Sequence, residues 1–280
     1  EIGVRLVGSE MCIRDSLYLI VPAMVINSYM MEFNIDILHN LLKAFELSIL
    51  LLLIGLFITL ALTAKHKSPD LPIMRFACIF SNAAYMGFPL IQALFGSEGL
   101  LYASAFVTVY NILLWTAGYG IVSKKVHAKE VLRTIFTNPV LISVMAGLLI
   151  YLCQIPVPDI IKQPVSLVGN MNTPLSMFIT GMIIAGSDVK GLVYNKNIWY
   201  IILVRQLVIP AVCFGIFSLF HVTGMAAQVV LLLEACPSAA ITSVFAVQFG
   251  YDENLAAGAV VITTFLSILT LPVCAMLLTA

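Results

Sequence analysis

Few polar residues stand inside the apolar sequence, and their types restrict the chemistry available. Asn82 and Tyr85, in SNAAYMGFP, place an amide and a phenol just ahead of Gly87 and Pro89. In LLLEACPSAAITS, Glu234, Ser238, Thr242 and Ser243 surround Pro237. Asn111 stands alone in VTVYNILLW, where it is either a site amide or an inter-helix hydrogen bond. Glu234 either binds a proton or cation or is protonated and internally hydrogen-bonded, because an isolated membrane charge costs at least about 2.5 kcal/mol. Arg205 is a possible counter-ion for an anion, but snorkelling towards a basic loop is the expected arrangement. The arrangements that break covalent bonds are missing. There is no HExxH, no GxSxG, no glycine loop with lysine for a nucleotide, and no Cys/His cluster at metal spacing. What remains is binding, not catalysis.

The elements that carry these residues follow from composition. Hydrophobic residues make up 61% of the 280 positions and charged ones 10%, against about a quarter in soluble domains. Fourteen basic and fourteen acidic residues cancel, which removes any field that would draw nucleic acid. Charge-free runs at 76–97, 99–123, 163–187 and 254–280 each reach the ~20 residues that cross ~30 Å of hydrocarbon. An all-α polytopic membrane protein is the fold class. Cys78, Cys153, Cys213, Cys236 and Cys274 lie in apolar runs and read as packed side chains rather than a disulfide framework.

Residues 1–16, EIGVRLVGSEMCIRDS, carry scattered charges without helical or strand period and lack the features of a signal peptide. They read as translated adapter sequence foreign to the protein. Nine spans are predicted beyond them, at about 17–31, 41–64, 75–96, 99–123, 138–154, 163–186, 197–220, 225–250 and 255–278. Lys65 and Lys67, then Lys124, Lys125, Lys129 and Arg133, then Lys190 and Lys196 fall on one side if the spans alternate. The positive-inside rule makes that side cytoplasmic and the location an inner cell membrane.

An internal repeat is legible in the same register. Phe95-Gly96 recurs as Phe249-Gly250, and Leu101, Ala103 and Val107 recur as Leu255, Ala257 and Val261. Pro22 pairs with Pro174 at nearly the same offset. An odd number of spans separates the copies, so the repeats are expected to be inverted, a common architecture of secondary transporters. Span 138–154 has no partner in the chain, which predicts one missing first helix. The organisation is then a first repeat over 17–123, a cytoplasmic loop at 124–137 and a second repeat over 138–280. Gly87 with Pro89, and Pro237, interrupt repeat-related spans. Asn172-Thr173-Pro174 opens a third. Unwound backbone at membrane depth must be buried in protein or line a wet cavity, which makes the pair a candidate transport site. Ordinary proline kinks are the alternative.

SNAAYMGFPLIQALFGSEGLLYASAFVTVYNILLW, with YLIVPAMVINS, TNPVLISVMAGLLI, TPLSMFITGMIIAG and ACPSAAITSVFAVQFGYDENLAAGAVVITTFLSILTLPV, resembles the auxin efflux carrier family from about Leu17 to Ala280. The resemblance implies ten helices in two inverted five-helix repeats, akin to the bile acid:sodium symporter fold. It also implies broken helices that cross at 75–96 and 225–250. Asn82 would match the family's site asparagine, and Pro89 and Pro237 its crossover prolines. Cys236 and Ser238 stand where a second asparagine is expected. The short loop at 124–137 fits a bacterial carrier of malate or malonate type better than a plant auxin carrier. The expected function is alternating-access transport of a small organic anion. Asn82, Tyr85, Asn111 and Ser238 would bind it, Gly87, Pro89, Pro174 and Pro237 would shape the breaks, and Glu234 would couple a proton or cation. No cofactor is expected beyond a proton or sodium ion. The partners are the substrate and the bilayer, a homodimer being compatible. A sodium-coupled symporter, or a membrane sensor without transport, are the other readings.

Overall fold

The computed structural model describes residues 19–123, 133, 136–185 and 195–279. The adapter-like segment 1–16 and nearly all of the basic loop 124–137 lie outside the described residues, as does Lys190. The described residues are helical apart from loops and one isolated two-residue bridge.

Helices α1 (Val21–Tyr29), α2 (Ile35–Leu62) and α3 (Leu71–Ile79) come first. A long helix α4 (Ala83–Ser123) follows, then α5 (Pro139–Leu152), α6 (Asp159–Asn170) and α7 (Asn172–Ala185). The chain ends with α8 (Lys196–Leu219), α9 (Met225–Glu234), α10 (Ile241–Phe249) and α11 (Glu253–Thr279). Helices α2, α4, α8 and α11 are long and apolar enough to cross a membrane. At ~1.5 Å per residue, the 41 residues of α4 would reach about twice the hydrocarbon thickness if straight. Gly96 divides it, with φ 61° and ψ −149°, backbone that only glycine adopts without strain. The sequence predicts two spans that part after residue 96, and the helical runs on either side of Gly96 part there.

Local sequence explains the ends. Asn34 caps α2 by accepting from the Asp36 amide at 2.8 Å, and Asn195 caps α8 by accepting from Asn197 at 2.9 Å. Gly250 closes α10 at φ 70°. Two prolines inside helices are each preceded by a widened π turn. Ala83–Gly87 precedes Pro89 and Leu203–Val208 precedes Pro210, which accommodates a carbonyl whose usual donor a proline lacks.

The helices pack in two neighbourhoods joined by α4. Helix α1 lies against α5 and α6, while α3 packs on α2, α8, α10 and α11. Glycines let helices approach closely where hydrocarbon provides no hydrophobic drive. A Cβ on Gly147 would sit 2.5 Å from the Tyr29 ring, and one on Gly169 would sit 2.9 Å from the Met24 Cα. Tyr29 is fully buried there and shares a 2.7 Å hydrogen bond with Ser104 across α1 and α4. The outward faces carry large exposed apolar side chains, among them Phe57, Ile160, Phe178 and Leu219. Such a surface is stable in lipid and not in water.

Candidate functional site

Helices α3 and α9 both stop inside the protein, and both are followed by extended backbone. Phe80 leaves α3 at φ −97° and ψ 122°, and Pro237 lies in the non-helical stretch between α9 and α10. The two stretches pair antiparallel through Ser81 and Ser238. The Asn82 amide donates to the Pro237 carbonyl at 2.7 Å, and the Ala239 amide donates to the Phe80 carbonyl at 2.9 Å. Backbone freed by the breaks is thus satisfied by the opposite break, as membrane burial requires.

Arg205 closes this junction from the α8 side. The sequence led to an expectation of snorkelling, but the side chain is fully buried. Its Nε donates to the Cys236 carbonyl at 3.0 Å, and Nη1 to the carbonyls of Cys78 and Ile79 at 3.3 and 3.1 Å. Nη1 also meets Glu234 Oε1 at 3.1 Å, and Nη2 donates to the Glu234 carbonyl. One guanidinium therefore satisfies end carbonyls of both α3 and α9, where helix dipoles leave negative partial charge. Arg205 and Glu234 are opposite charges embedded in apolar sequence, and such charges pair when they share an interior. Glu234 lies behind the junction, fully buried, with Oε2 lacking a hydrogen-bond partner.

In front of the junction is a cavity of about 180 Å³. It is smaller than the ~300–1,000 Å³ clefts that hold drug-sized ligands, which suits a solute of a few carbons. Asn82, Tyr85 and Asn111, three of the residues singled out from the sequence, line it together with Ser81, Trp115 and Asn138. Among the described residues no charged side chain lines it. The Asn82 side chain does not cap the helix it precedes, and the Ser81 hydroxyl has no hydrogen-bond partner. Asn138 Nδ2 donates to Asn111 Oδ1 at 3.3 Å, so the two amides form one polar edge.

Three helices begin at this cavity. Residues at the starts of α4, α10 and α5, namely Ala84, Ala240 with Ile241, and Pro139 with Val140, all face it. First-turn amides and the positive end of a helix dipole favour an anion there. Asn138 occupies part of the third terminus, accepting from the Val140 and Leu141 amides at 2.9 and 3.3 Å.

Other residues singled out from the sequence fall elsewhere. Ser238 is fully buried and turned away, its hydroxyl donating to the Ala77 carbonyl at 2.9 Å and its amide to Thr263 Oγ1 at 3.1 Å. Gly87 and Pro89 lie in helical backbone, the non-helical residues being the earlier Phe80–Asn82. Gly87 is instead a point of close approach, because a Cβ there would meet Leu233 Cδ2 at 2.4 Å. Pro174 sits in the first turn of α7, which restarts after Met171. Beside it, buried Asn172 donates to the Ala84 carbonyl at 3.4 Å, tying α7 to the start of α4. Ser81, Trp115 and Asn138 were missed. Only Asn138 had a visible signal, as a capping residue before Pro139.

The chain matches the family described as membrane transport protein over residues 16–132 and 124–275. It is 25% identical over 245 residues to an uncharacterized transporter of Methanocaldococcus jannaschii, covering 83% of this chain and 78% of that protein. It is 24% identical over 230 residues to a protein of Rhizobium meliloti provisionally named a malonate transporter, covering 79% of this chain and 70% of that one. With apolar helices long enough to span a bilayer and a junction of interrupted helices at their core, the chain belongs to the auxin efflux carrier family of membrane transport proteins.

Proposed function

We propose that this protein is a secondary carrier of small organic anions, mono- or dicarboxylates such as malonate or malate, working by alternating access. One observation carries the reading: three helix N-termini and the amides of Asn82, Asn111 and Asn138 converge on a cavity that no charged side chain among the described residues lines. Such a site neutralises a carboxylate with dipoles and hydrogen bonds and releases it more readily than a fixed cation would. The name of the Rhizobium meliloti relative agrees with a dicarboxylate.

Asn82 and Tyr85 bind substrate oxygen from α4, and Asn111 with Asn138 binds from the opposite edge. Ser238, Pro237 and Gly87 hold the junction in register, Ser238 through its bond to Ala77. Pro174 sets the start of α7 against α4. Glu234 Oε2 is the open acceptor on which proton coupling would rest. The paired interruptions after α3 and α9 support an arrangement of inverted five-helix repeats of the bile acid:sodium symporter type. The group α2, α3 and α8–α11 moves against α1 and α5–α7. With the basic loops cytoplasmic in an inner membrane, exposed Thr137 in the cavity lining supports a mouth that opens to the cytoplasmic side.

The test is uptake by the protein reconstituted in liposomes. Labelled malonate, malate and indole-3-acetate are offered with and without proton and sodium gradients. Saturable uptake that Asn82→Ala abolishes supports the reading. If none of the three moves under any gradient, the organic-anion assignment fails. A sensor without transport would show binding but no flux.

A further inference from the structure

The oxygens around Arg205 form a cation site in all but occupant. Carbonyls of Cys78, Ile79, Glu234 and Cys236, with Glu234 Oε1, converge from the ends of α3 and α9. Unwound carbonyls and half-helix C-terminal ends are the groups by which carriers with interrupted helices hold sodium. Hard cations take such all-oxygen shells. Here every one of these five oxygens accepts from the same guanidinium, and all the groups are buried.

We propose that Arg205 is a resident cation that fills the ion site of the junction. The protein then binds no sodium there, and its broken helices are held together without one. A sodium symporter must bind its ion to assemble this region and release it to let go. A covalently tethered guanidinium stays in both states, so the junction remains closed throughout the cycle. Removing the guanidinium leaves a carboxylate and four carbonyls facing one another, and an added monovalent cation becomes the means of neutralising them.

The inference builds on the carrier reading for its consequence, but its test needs no substrate. Thermal unfolding of the purified protein in detergent is followed with sodium, guanidinium or choline chloride at matched ionic strength. The wild type is expected to melt at the same temperature in sodium and choline. Arg205→Ala is expected to melt lower in choline and to recover by about 5 °C in sodium or low guanidinium at ~100-fold their dissociation constants. A sodium-stabilised wild type overturns the proposal. So does an Arg205→Ala protein that melts alike in all three salts. If that variant does not fold, Arg205→Lys, which returns the charge, is expected to fold and remain insensitive to sodium. A sodium-dependent Arg205→Lys protein overturns the proposal as well. Absence of organic-anion uptake would refute the substrate class and leave these melting results standing.

Discussion

Gly118 tests whether the junction is set by packing from α4. A Cβ added there would lie 2.6 and 2.7 Å from Phe80 Cε2 and Cζ, and 3.1 Å from Phe76 Cε2. Carbon atoms rest at ~3.5–4.0 Å, so Gly118→Ala overlaps two ring atoms by about 1 Å each. The Phe80 ring has little room to move. It is fully buried, with its centroid 4.6 Å from Phe76 and 5.5 Å from Tyr110. Overpacking of this kind costs ~1–3 kcal/mol, and a rigid ring puts it in the upper half. Alanine returns up to ~1 kcal/mol of helix propensity. The net expectation is a protein about 1–2 kcal/mol less stable, melting ~2–6 °C lower in detergent. In a Phe80→Leu background the obstructing ring atoms are gone. There Gly118→Ala should be neutral or stabilising, which makes the coupling between the two sites about 1–3 kcal/mol. Because the Phe80 carbonyl receives the Ala239 amide at 2.9 Å, the single variant should also weaken malonate binding. Equal losses of stability in both backgrounds would refute the argument.

The remaining expectations address the cavity and the buried ion pair. Asn138→Ala should cost ~1 kcal/mol through the lost cap and weaken malonate uptake, whereas Asn138→Asp keeps the cap and repels the anion; melting and uptake assays together separate the effects. Of the two tryptophans only Trp115 lines the cavity, so Trp199→Phe should leave a fluorescence signal that malonate changes saturably and choline chloride does not. Glu234→Leu strands the Arg205 charge and should cost ~3–5 kcal/mol, read as a collapsed monodisperse peak in size-exclusion chromatography. Adding Arg205→Met to that variant removes the stranded charge but leaves the carbonyls of Cys78, Ile79, Glu234 and Cys236 without their donor, so it should recover only part of the loss.

Composition alone determined that this is a helical membrane protein. The hydrocarbon core accepts only long apolar helices with internally satisfied backbone, and 61% hydrophobic residues in charge-free runs meet that demand directly. The division at Gly96, the interruption at Pro237 and the polar residues Asn82, Tyr85 and Asn111, which line the cavity, were also conspicuous in the sequence. A glycine, a proline or an amide is conspicuous in apolar sequence. What the sequence did not determine was direction and partnership. Pro89 marked a break that the chain makes several residues earlier, because a π turn absorbs the missing amide while Phe80–Asn82 finds its hydrogen bonds on Pro237 and Ala239. Ser238 and Ser81 are the same residue type at opposed positions of one bridge, yet only Ser81 lines the cavity. Arg205 shows the distinction most directly. Its length and position along α8 suit snorkelling, but the ends of α3 and α9 meet beside it. Those ends come from stretches of chain far apart in sequence, and only the folded protein brings their carbonyls within reach of one guanidinium.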